Sequence, residues 1–79
     1  MNQTKISIDG TMIGLPDQKL KTLQDAVGGY IQTIPIAFGN TMIVNEEGLL
    51  LKLPPNETAS KFAGFPVVGN VVFIKGKLE

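Results

Sequence analysis

The groups able to do chemistry in this chain are few, and they gather at its turns. Glu46 and Glu47 are its one pair of adjacent carboxylates. Paired carboxylates can divide acid and base roles when their surroundings separate their pKa values. Neighbours on a strand point to opposite faces, so cooperation here needs a turn that aims both at one point. A solvated turn after Asn45, with Gly48 at positive φ, accounts for the same residues without chemistry. Asn45 and Asn56 carry amides that both donate and accept, which suits reading the edge of a base or ribose. Each also has a local use, Asn45 in the turn and Asn56 as the N-cap of a helix. Free amide hydrogens at a helix start favour an anion, so Asn56 marks the best phosphate candidate. Tyr30 can stack on a planar ligand or complete an apolar stripe. Thr58 and Ser60 offer hydroxyls, but the chain has no histidine to activate them. Gly28-Gly29 follows a helical pattern and lacks the Lys-Ser/Thr of a phosphate loop. The expected ligand-binding set is therefore Tyr30, Asn45, Glu46, Glu47, Asn56 and Thr58, with no catalytic residue, no metal ligand and no cofactor.

Composition narrows the classes further. Seven lysines and no arginine balance seven acids to a formal charge of zero. A nucleic-acid binder needs a basic surface to displace counterions, and usually arginine forks, so that class is disfavoured. There is no cysteine and no histidine, hence no disulfide framework and no nitrogen or sulfur metal cage. At 79 residues the chain is expected to be one domain spanning 1–79. Ordering it costs on the order of 100 kcal/mol of conformational entropy. With no staple to offset that, self-association is the remaining way to bury more surface. No signal-peptide pattern opens the chain and no apolar run reaches membrane-spanning length, so a cytoplasmic protein without a membrane partner is expected.

The elements that must position these groups are legible from period and punctuation. Thr4 to Asp9 alternates with Ile6 and Ile8 on one face, as a half-buried strand does, and Asp9-Gly10 turns the chain. Thr11 to Leu15 reads as a short connector or second strand. Pro16-Asp17 is a helix start, and Leu20, Leu23, Val27 and Tyr30 then fall on one stripe of a main helix over about 17–28 that Gly28-Gly29 ends. From Tyr30 the period changes to two. Pro35 has no amide hydrogen, so this strand is an edge or turns its proline away from its neighbour. Phe38-Gly39-Asn40 is a turn, Thr41 to Val44 a strand, and Asn45 to Gly48 a second turn leading to a further stretch of the meander at Leu49-Leu50-Leu51. Asn56, Glu57 and Gly64 bound a short helix over about 57–63. Val67 to Ile74 is a β-branched strand with a bulge or bend at Gly69-Asn70. The fold class is α+β: a mostly antiparallel sheet of four to five short strands with one main and one short helix.

These residues, LQDAVGGYIQTIPI, then IVNEEGLLLKLPPN, then VVGNVVFIKG, resemble in order and spacing the small proteins of domain-of-unknown-function family 3846, over about Leu23 to Gly76. The resemblance implies a setting: a small accessory protein of a phage or mobile element. Many relatives look like LPPNR at the second block, whereas Asn56 here precedes Glu57, so no anion-binding role for that arginine carries over. Three readings follow. The first is a non-enzymatic anti-defence binder that sequesters a nucleotide-derived signal at an oligomer interface of the host cytoplasm. The second is a module that binds and blocks a host protein through an apolar patch or open sheet edge, with the Pro35 strand and the Leu49-Leu50-Leu51 run as candidates. The third is an enzyme resting on Glu46 and Glu47, which lacks the usual base, nucleophile and clamp and is set aside.

Overall fold

A computed structural model describes residues 2–78. Its strands are β1 (Gln3–Ile6), β2 (Met12–Gly14), β3 (Ile31–Ile36), β4 (Asn40–Asn45) and β5 (Val71–Ile74), and its helices are α1 (Leu20–Val27) and α2 (Glu57–Ala63). The five strands form one sheet in the order β2-β1-β5-β4-β3, antiparallel throughout. The expected α+β class and antiparallel sheet are thus observed.

Both faces of the sheet are covered, which explains why β5 reads VVFI without alternation. Ile43, Val72 and Ile74 face one side, where Leu23, Ala26 and Val27 of α1 pack on them. Met42, Val44, Val71 and Ile6 face the other, beneath Ala59 and Ala63 of α2 and Val67. The rings of Phe62 and Phe73 meet on that side at 5.6 Å. In crossing the first face, α1 carries the chain from one edge strand, β2, to the other, β3.

Several sequence expectations are corrected. The main helix starts at Leu20, not 17: the Asp17 carboxylate accepts from the backbone of Lys19 at 2.9 Å and so holds the approach outside the helix. Gly28 ends it in the left-handed conformation (φ 80°), as expected. The stripe is shorter than read, because Leu20 is exposed on the first turn and Tyr30 lies beyond the helix with 66% of its surface open. The first strand ends at Ile6, and Ile8 sits exposed in the turn that follows. Val67 to Asn70 is a bend before β5, joined to Pro55 by an isolated bridge at Val68. Leu49-Leu50-Leu51 is not a strand but part of the turn after β4, closed by Leu51 N donating to Glu47 O and Leu53 N to Gly48 O.

The short helix matches its expected bounds, with the Asn56 side chain accepting from Ala59 N and Gly64 as the stop. The edge position of β3 also holds. Glu46 N donates to Tyr30 O at 2.9 Å, in the same register as Ile31 opposite Asn45. Antiparallel alternation then points the backbone groups of Gln32, Ile34 and Ile36 at β4, and those of Ile31, Thr33 and Pro35 outward. Proline therefore stands where no ladder bond is lost.

Candidate functional site

The end of β4 organises two hollows, one on each face of the sheet. Asn45 is the residue between them. Its Nδ2 donates to Val27 O at 3.1 Å, pinning the end of α1, and its Oδ1 accepts from Glu47 N at 2.8 Å, starting the turn. Gly29 lies so close that an added Cβ would stand 3.0 Å from Asn45 Nδ2. Asn45 is buried with both ends of its amide engaged, so it shapes the site instead of reading a ligand.

On the α2 side, Gln32, Ile34 and Val44 form the floor of a groove of about 360 Å³, with Leu49 and Leu50 on one rim and Phe65 and Pro66 on the other. Leu49 and Leu50 are 83% and 77% exposed. Glu46 is on this groove. On the α1 side, Tyr30, Gln24, Asp25, Glu47 and Leu51 surround a hollow of about 460 Å³ at the C-terminal end of α1. Asp25 is paired there with Lys21 at 3.4 Å across one helical turn. No lysine lines either hollow.

The structure thus separates the paired carboxylates. Glu46 belongs to the groove and Glu47 to the hollow, each exposed, so they do not converge on one substrate atom. Gly48 does not take the positive φ expected of it. What requires glycine there is approach, since a Cβ would meet Val68 Cγ2 at 3.0 Å and Asn45 O at 3.3 Å, while the left-handed residue of the turn is Lys52 (φ 56°).

Asn56 and Thr58 lie elsewhere. Asn56 is fully buried: its Nδ2 donates to Ile6 O and Gly69 O, both at 2.9 Å, and its Oδ1 caps α2. It joins three segments, and its side chain presents nothing to a ligand. Thr58 is half-buried beside the β1–β2 turn, where a Cβ on Gly10 would stand 3.4 Å from its Oγ1. Ser60 Oγ donates to Asn56 O at 2.7 Å and accepts from Val67 N at 2.9 Å, a structural hydroxyl. Of the six expected site residues, Tyr30, Asn45, Glu46 and Glu47 meet around the end of β4, and Asn56 and Thr58 do not join them. Missing from the expected set were Gln32, Ile34, Phe65 and Pro66. Phe65-Pro66 directly after the Gly64 stop was the available signal, an aromatic with no period to place it in a core.

Among the described residues no three acidic side chains gather as a metal ion would need, and no helix is long and apolar enough to cross a membrane. What these features define is a small α+β domain with a groove and a hollow at one end of its sheet. The profile of one family, described as a domain of unknown function, DUF3846, matches residues 3–79, and the chain belongs to that family. No curated protein and no solved structure matches it.

Proposed function

We propose that the protein is a non-enzymatic interaction module, an accessory protein of a phage or mobile element that captures and blocks a host protein in the cytoplasm. The observation that carries this is the groove rimmed by Leu49, Leu50, Phe65 and Pro66. Apolar side chains left open on both rims of one concavity are the mark of a surface meant to be covered. The partner segment this fits presents one or two apolar side chains between uncharged or donor-bearing groups, the latter facing Glu46 and Gln32. Capture from host lysate tests it with Leu50→Glu as the comparison. A partner held by the unaltered chain and lost from the variant, with the variant's melting curve unchanged, supports the reading; a set of captured proteins identical for both overturns it.

A nucleotide-derived signal is the second reading, favoured by one feature, the exposed ring of Tyr30 beside Gln24. Asp25, Glu47 and the carbonyl end of α1 oppose a phosphate there, so such a ligand would enter by its base. A thermal-shift panel of cyclic nucleotides and ADP-ribose derivatives, run with Tyr30→Ala alongside, decides it. No shift with any member removes this reading and leaves the first intact.

A further inference from the structure

We propose that two copies of this chain pair edge to edge through β3 about a two-fold axis at Gln32, joining their sheets into one of ten strands. The register follows from the hydrogen-bonding groups that face outward. Of the outward residues of β3, Ile31 and Thr33 each offer an amide hydrogen and a carbonyl, whereas Pro35 offers a carbonyl and a ring where a neighbouring strand would lie. Placing Ile31 opposite Thr33 of the second copy uses every one of those groups, in four reciprocal bonds, and leaves Pro35 beyond the paired stretch. Centring the pair on Thr33 instead would set each proline ring against an Ile31 carbonyl. Pro35 thus acts as a register stop.

The occupant of this edge is argued from charge and area. Natural edge strands are guarded by charged side chains, lysine above all. Here positions 26–45 hold no charged residue, so the whole β3–β4 hairpin is neutral and meets its own copy without repulsion. On the axis the side chain is Gln32, whose amide both donates and accepts and can bond its own image. The same register sets Tyr30 level with Ile34 of the second copy, in a non-hydrogen-bonded position. A stable pair needs about 600 Å² from each copy, about an eighth of the 4965 Å² that one chain exposes. Tyr30, largely open and directly before this strand, adds to the surface that the strand supplies. The other edge strand, β2, has three residues and is too short to compete.

In this arrangement the two α2-side grooves adjoin across the axis, so the inference extends the proposed function without resting on it. A dimer that captures no partner, or a monomer that does, tells the two apart.

The test uses the 79-residue chain. Sedimentation equilibrium is expected to give twice the 8.5 kDa chain mass. The chain has no cysteine, so single cysteines report geometry directly. Residues facing each other in a non-hydrogen-bonded antiparallel pair have Cα atoms about 4.5 Å apart, within disulfide reach. Gln32→Cys should therefore form a covalent dimer under mild oxidation, at least about tenfold faster than Phe38→Cys, which is 98% exposed but lies outside the paired stretch. Thr33→Pro removes two of the four bonds at a position with no ladder bond to β4, and should weaken dimerisation at least about tenfold with the circular-dichroism spectrum unchanged. A monomer mass at the highest soluble concentration, or Gln32→Cys cross-linking no faster than Phe38→Cys, overturns the proposal.

Discussion

The side-chain amide of Asn56 reaches the backbone carbonyl of Ile6, fifty positions away, at 2.9 Å. Through the same nitrogen it holds Gly69 O, and through its oxygen it caps α2. One buried side chain therefore ties the end of β1, the start of α2 and the bend before β5. Asn56→Ala leaves two buried carbonyls without a donor and the helix without a cap, a loss of about 3–5 kcal/mol. Urea unfolding measures it, and a loss under about 1 kcal/mol would show that water replaces the amide there. Asn56→Asp keeps the cap but cannot donate when ionised, so it should be nearly as damaging at neutral pH and milder in acid, where the carboxyl regains a proton.

Gly69 and Leu53 meet at a point where no side chain fits. A Cβ on Gly69 would stand 2.7 Å from Leu53 Cδ1, and the backbone there has φ 75°. Gly69→Ala should cost about 2–3 kcal/mol, part from the clash and part from the left-handed backbone. In a double-mutant cycle Leu53→Ala should recover only the first part. Full recovery would mean that backbone strain contributes nothing at this bend.

Phe38 is held at φ 63° on the tip between β3 and β4 with 98% of its surface open to solvent. It carries the strain of a left-handed aromatic residue and no packing to offset it. Phe38→Asn should raise stability by about 1 kcal/mol, because asparagine accepts that conformation more readily. A lower melting temperature for the variant would show that the ring contributes to the fold.

Two carboxylates set an acid limit. Asp9 lies below the usual carboxylate range because Thr11 donates to it from its backbone and then its side chain, and Asp17 does so through the Thr22 side chain and the Lys19 backbone. A depressed folded pKa means that the unfolded chain binds more protons in the window between the two values. The contribution is thus present above the ordinary aspartate value of about 4 and is lost as pH falls through the folded values. Urea unfolding at about pH 5 and about pH 3 should show stability falling with acid, and the Asp9→Asn/Asp17→Asn pair should flatten that fall. An unchanged slope in the double variant would assign the acid sensitivity to other carboxylates.

How much of this was readable beforehand depended on whether a signal was local. The bounds of α2 came from Asn56 and Gly64, and the end of α1 from Gly28, because caps are decided by one or two residues. The edge position of β3 came from one proline. Leu49-Leu50-Leu51 misled because three leucines read as strand, whereas Asn45 Oδ1 and the Gly48 backbone fold them into a turn whose side chains reach solvent. At Asn56 the cap was legible but the burial was not, since the carbonyls of Ile6 and Gly69 arrive there only when the sheet closes. The separation of Glu46 from Glu47 was legible from strand alternation, but the groove beside Glu46 was not, since Phe65 and Val68, which line it, lie far along the chain.

The central position of β5 also sets when the chain can fold. Gln3 pairs with Ile74, and the same strand joins Thr41 to the sheet, so β1 and β4 have no common partner until the last strand emerges. Contacts of such long sequence separation slow closure, because the intervening loop must be ordered before any pairing repays it. During synthesis the neutral β3–β4 hairpin is complete while its neighbour is still missing; Ile43 can already meet α1, but Met42 is uncovered. The nascent chain therefore spends its most exposed interval as an apolar hairpin, and crowding among ribosomes on one message would favour association before folding.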